Sequence, residues 1–377
     1  MILFPPIVTR IDAELQLSCR VQVERGKRGL PSELWFRFPE ASAPSADLDP
    51  FAVALLLLAM QNGESLCIRG SISRKLAAGL EHYQEIYRSW YPDRFKRIAV
   101  VPDSLRDDPP PLDRGEGCAF SGGVDSFHTL LQLRGRLTHT LFMAGFDMPL
   151  NLTESLAELT QSYSLFMKEM NLKFIVGSTN VRAFVNSVDW TNAHGPALGA
   201  SALFFRKSFG CFHIPSSYES SRYPAWGTHP ELDPLLSTES LQFRHHGADA
   251  DRVKKLETVT RFPASFERLR VCWIQSIGLR NCGECEKCIR TMIALDLLGA
   301  LPNYTTFPTG SLTRARIRGV PLRTHQARLF ARELARASFR RRRWSHCLDL
   351  GAALMKREWN YQVVRRARAA WSKPGPS

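Results

Sequence analysis

Residues 117–131 read GCAFSGGVDSFHTLL. An apolar run ends at Phe120, a helical run begins near Val124, and Ser121, Gly122 and Gly123 fill the gap. Such a turn leaves the first amides of the helix without internal partners, and the helix dipole there favours an anion. Glycines remove the side chains that would keep a phosphate from the backbone. Ser121 and Ser126 can add hydroxyl donors, and Asp125 can bind magnesium, cap the turn or orient a donor. No G-x-x-x-x-G-K-[ST] string occurs, so this is not the P-loop of ordinary ATPases.

Downstream, apolar strands (THTLFMAGF from residue 138, LKFIVG from 172, FGCFHIP from 209) alternate with helical segments (TESLAELTQSYSLFMKEM from 153, PALGASALFFRKS from 196). That alternation predicts α/β architecture, a parallel sheet with helices on both faces. Upstream, AELQLSCRVQVE and SELWFRF alternate like strands, and LAAGLEHYQEIYRSWY reads as a helix. The expected layout is a small α+β domain over 1–105 and a proline-rich linker over 106–116. An α/β domain over 117–309 and a helical extension over 310–377 complete it.

Charge sets the last segment apart. The 377-residue chain carries a net +14; residues 310–377 hold 17 Lys+Arg against 3 Asp+Glu, and residues 1–309 hold 33 of each. Arg328, Arg332, Arg336 and Arg340 recur on one helical face, and Leu348, Ala352, Met355, Trp359 and Val363 form an apolar stripe on a second helix. A solvated arginine face and a site for RNA or another acidic partner fit this pattern equally. MILFPPIVTR lacks a secretory start, and FAVALLLLAM at 51–60 is about half the length of a membrane span. A cytoplasmic chain with no membrane span is expected, its oligomeric state open.

Among nine cysteines, Cys272, Cys282, Cys285 and Cys288 form a C-x9-C-x2-C-x2-C array before an apolar helix. Four thiolates with no vacant position describe a closed tetrahedral zinc site. An iron-sulfur cluster takes the same ligands.

The string S-G-G-x-D-S, in a strand-turn-helix setting, closely resembles the signature of the PP-loop ATP pyrophosphatases. With C-G-x-C-x-x-C following about 150 residues later, it looks like the branch of that family that contains 7-cyano-7-deazaguanine synthase, over roughly residues 117–300. The resemblance implies that Ser121, Gly122, Gly123, Asp125 and Ser126 cradle the pyrophosphate end of ATP, cleaved with magnesium to AMP and pyrophosphate. It implies one structural zinc on the four cysteines, and chemistry assigned to Asp125 and Ser121. The implied enzyme is an adenylating C–N ligase that couples a small-molecule carboxylate or amide, a deazaguanine in that branch, to ammonia or an amine. The branch lacks residues 1–105 and the basic tail, and its histidine-bearing stretch is replaced here by FMAGFDMPLN. Two rival readings are a PP-loop tRNA-modifying enzyme that grips RNA with the tail, and a non-enzymatic ATP-binding partner protein.

Further candidates follow from position. Asn180 and Arg182, in STNVRAF, fall at a strand's carboxyl end, where open α/β sheets bind ligands. His229 and Asp233 in the long polar loop from residue 216 are candidate acid-base or magnesium groups, and Arg252, Lys254 and Lys255 on a helix could steady phosphates.

Overall fold

The structure, a computed structural model, describes residues 1–25, 29–111, 114–272, 274 and 278–356. The chain divides into two compact units, 1–251 and 252–377.

The first unit is built on one 11-stranded, mostly parallel sheet. In chain order its elements are β1 (Ile2–Leu3), β2 (Ile7–Ile11), β3 (Glu14–Gln22), β4 (Glu33–Pro39), α1 (Asp49–Asn62), β5 (Leu66–Ser73), α2 (Arg74–Trp90) and β6 (Val100–Arg106). They continue as β7 (Glu116–Ala119), α3 (Val124–Leu133), β8 (Leu137–Ala144), α4 (Thr153–Glu169), β9 (Lys173–Thr179), α5 (Val181–Val185), α6 (Trp190–Leu203), β10 (Cys211–Pro215) and β11 (Gln242–His246). The strands lie in the order β11-β10-β7-β8-β9-β4-β3-β1-β5-β6, with β2 paired to β3. The five strands from β11 to β9 are parallel, and the join to the first hundred residues is antiparallel, Phe36 and Arg37 of β4 facing Thr179 and Ser178 of β9.

Residues 1–105 therefore extend the sheet of the following residues, and the two compact units meet at residues 251 and 252 rather than at the boundaries expected near 105, 116 and 309. The reason is β4, which pairs with β3 on one side and, on the other, with β9 from about 140 residues further along the chain.

Strand alternation sorts the core into two faces. Phe212, Ile214 and Phe243 belong to the same apolar cluster as α1 and α6. The next residues along those strands point to the other face, where His246 meets Thr129 of α3 and the Phe120 ring packs against Phe127 and Tyr163. The run from Phe51 to Met60 is buried all round as α1, the expected fate of a helix with no polar face.

Helix α6 begins six residues before the expected segment and takes Pro196 inside it. Proline supplies no amide to the Asn192 carbonyl four residues back. The buried Tyr87 hydroxyl donates to that carbonyl instead, at 2.9 Å.

The second unit carries α7 (Arg252–Thr260), α8 (Glu286–Leu297), α9 (Arg314–Arg318) and α10 (His325–Arg340), followed by helical residues 344–356. The Thr324 hydroxyl caps α10 by accepting the Ala327 amide. Ala327, Phe330, Ala331, Leu334 and Ala337 form its buried face. Arg332, Arg336 and Arg340 are exposed, and Arg328 is half-buried. In the next helix Leu348 and Met355 are exposed while Leu350 and Ala353 are buried, so the expected apolar stripe does not face the core. Trp359 and Val363 lie outside the described residues. Among the described residues no helix is long and apolar enough to cross a membrane, and no disulfide forms.

Candidate functional site

The glycine turn stands where the strand order reverses. β8 and β9 lie on one side of β7, β10 and β11 on the other, and in open parallel sheets such a switch opens a crevice beyond the strand ends. Gly122 has φ +74, the left-handed region that favours glycine. Gly123 is the N-cap of α3, and no side chain caps the helix. The Phe127 amide donates to the Gly123 carbonyl at 2.9 Å, so the amides before it have no acceptor within the helix.

Two details refine the sequence reading. Ser126 Oγ accepts the Ser121 amide at 3.3 Å and donates to the Gly123 carbonyl at 3.0 Å. Its proton is thus used inside the loop, and Ser126 shapes the turn. Ser121 is exposed and Asp125 half-buried in the first turn.

Asn180 and Arg182 follow β9, two strands from β7, and both have structural partners. The Asn180 carboxamide accepts the Trp35 amide and donates to the Glu33 carbonyl, each at 2.9 Å, which clamps β4 to the end of β9. The Arg182 guanidinium lies 4.5 Å over the Trp190 ring and donates to Asn186; burial lowers its pKa.

The loop after β10 is organised around Asp233. One carboxylate oxygen accepts the His229 amide at 3.2 Å and the other lies 2.6 Å from His245 Nδ1. Asp233 is buried, and both of its oxygens are occupied within the protein. His245, at the end of β11, is a partner the sequence reading missed; the only signal was a His-His pair closing a short strand. The Tyr223 ring packs edge-on against His229 and His245 at 4.8 and 5.2 Å, and burial lowers the His229 pKa. A file of rings runs on through Tyr218, Trp226, His194, Trp190 and Phe146, with neighbouring centroids 5.2 to 6.2 Å apart. Trp190 Nε1 donates to Asp147 at 2.9 Å, so two residues of the divergent FMAGFDMPLN stretch engage this file. The rings gather at the carboxyl ends of β8 and β10 from segments far apart in sequence.

The second unit brings the four cysteines together. Cys272 and Cys285 Sγ are 4.0 Å apart, Cys282 and Cys288 Sγ 3.7 Å. Thiolates on a tetrahedral zinc would be separated by about 3.8 Å. The amides of Ile274 and Cys282 donate to Cys272 Sγ, and those of Glu284 and Cys285 to Cys282 Sγ, contacts that favour thiolates. Without a cation, burial raises the Cys272 pKa, and the contact with Cys285 followed by burial raises that of Cys288. The cluster could hold a metal such as zinc. In the same unit Lys255 is buried on α7, and the Arg252 backbone amide donates to Glu333 of α10 at 2.8 Å.

Compared with family models, curated proteins and solved structures, the chain matches none.

Proposed function

We propose that the chain is an ATP-dependent adenylating ligase whose loop from Ser121 to Ser126 holds the pyrophosphate of ATP as a leaving group. The observation that carries this reading is the position of that loop: a left-handed glycine and an uncapped helix start at the point where the parallel strand order reverses. The amides at the start of α3 stabilise charge on the departing pyrophosphate, Ser126 fixes the turn, and Asp125 and Ser121 face the reacting phosphates. Magnesium would neutralise the phosphates. A carboxylate or amide oxygen attacks the α-phosphorus, pyrophosphate leaves, and ammonia or an amine then displaces AMP. The file of half-buried rings suits a planar acceptor, with a deazaguanine the leading candidate. The four cysteines hold a structural zinc apart from this chemistry.

Incubation of the full chain with ATP, magnesium, ammonia and 7-carboxy-7-deazaguanine, followed by mass spectrometry, tests the proposal. AMP and pyrophosphate are expected, and Asp125→Ala or Ser121→Ala abolishes them. ADP as product refutes the mechanism; AMP formed only with another acceptor refutes the substrate alone.

A second reading rests on α10, whose exposed Arg332, Arg336 and Arg340 offer a cationic stripe to RNA.

A further inference from the structure

The amino ends of β7 and β10 carry a second group of metal-binding side chains. These two strands are parallel neighbours with Cys211 in register with Glu116 and His213 with Cys118. Residues two apart on a strand share a face, so Cys211 and His213 both turn toward Glu116. Their donor atoms and a Glu116 carboxylate oxygen lie within 4.8 Å of one another. The cluster is at the opposite strand ends from the glycine turn, and none of its members belongs to the proposed ATP chemistry.

We infer that Glu116, Cys211 and His213 bind a zinc-type divalent cation, with the fourth position left to water. Cys211 Sγ and His213 Nε2 are 3.6 Å apart. Zn–S of about 2.3 Å and Zn–N of about 2.0 Å at a tetrahedral angle place those two atoms about 3.5 Å apart. His213 Nε2 and Glu116 Oε2 are at hydrogen-bond distance, 2.8 Å, and a shared cation needs about 3.3 Å. The Glu116 side chain retains 19% exposure and has room for that small withdrawal. Arg136 donates to its other oxygen at 2.5 Å, the kind of outer contact that orients a ligating carboxylate.

The chemistry of the set is selective. One thiolate and one carboxylate neutralise a dication, which removes the penalty of leaving it charged in a mostly buried place. A sulfur, nitrogen and oxygen set suits zinc or cobalt and disfavours magnesium and calcium. Burial pushes the Cys211 thiol up to about 11, so binding releases its proton to solvent.

The test is metal stoichiometry on the full chain at saturating zinc, with the four-cysteine site intact. Two zinc ions per chain are expected in the native protein and one in Cys211→Ser and in His213→Gln, with circular dichroism unchanged. One ion in the native chain, or a second ion that survives both substitutions, overturns the inference. Should the buried variants fail to fold, Glu116→Gln at the exposed end decides. Second-site affinity for zinc alone should fall about tenfold or more, and unchanged affinity overturns the assignment. Cobalt in the second site should show a thiolate charge-transfer band, and a cobalt spectrum without one also refutes it.

Discussion

The phenol of Tyr163, on α4, occupies the space that a Cβ at residue 122 would need, and its hydroxyl donates to the Ser121 carbonyl at 3.5 Å. Gly122 is thus required twice, by its left-handed φ and by the ring behind it. Gly122→Ala should cost about 2–4 kcal/mol, combining backbone strain with overpacking. In the double variant with Tyr163→Ala the overlap is gone, so the two losses should fall short of additive in a denaturant-melt cycle. Simple additivity would show that the ring does not press on the turn.

Asn180 was a candidate ligand for ATP, and its two hydrogen bonds to β4 assign it a structural task. Asn180→Ala should lower stability by about 1–3 kcal/mol through two unmatched backbone groups. Nucleotide affinity, read by calorimetry on the folded fraction, should stay within about twofold. A large loss of affinity without loss of stability would return Asn180 to the binding site.

Removal of metal from the four cysteines should unfold the second unit. Chelation, or Cys285→Ser, is expected to make residues 252–356 protease-sensitive, since ligand geometry and fold form together. Elemental analysis should give zinc; iron with acid-labile sulfide would identify a cluster instead.

His139, at the amino end of β8, has its pKa lowered to about 4, first by burial and then by Lys173. The unfolded chain binds the extra proton near pH 6.5, so stability conferred by the neutral ring is complete above that pH and is lost as pH falls toward 4. Thermal melts of the native chain should decline over this window more steeply than those of His139→Gln. Parallel curves would remove His139 from the account.

The arginine stripe makes a salt-dependent claim. Replacing Arg332, Arg336 and Arg340 with Gln should weaken RNA binding and lower the slope of log affinity against log salt by about 2 to 3. If the native chain shows no salt-sensitive polyanion binding, the stripe is a solvated face.

Local signals were legible and long-range ones were not. The segment from Val124 to Leu133 reads as a helix, and it is one. The spacing of the four cysteines already points to one centre, because two-residue gaps turn successive thiols together. The partners of Asn180 were hidden, since Trp35 and Glu33 lie about 145 residues away and meet it only through the pairing of β4 with β9. The same holds for Glu116 with His213, neighbours only in the sheet, whereas Asp233 reaches His245 because the loop after β10 folds back onto β11. Tyr163 behind Gly122 could not be read either, because a helical aromatic on an apolar face looks the same whether it packs on a side chain or a backbone.

The burial of α1 bears on the order of synthesis. This helix is apolar on every side, and α6, which packs against it, begins about 130 residues later in the chain. At ribosomal speeds the gap lasts on the order of 10 s. For that interval the face of α1 that α6 covers stays bare, and the edge of β4 that pairs with β9 waits similarly. Production of this protein should therefore depend on chaperones that hold a nascent chain, and slowing translation should lengthen the exposed phase.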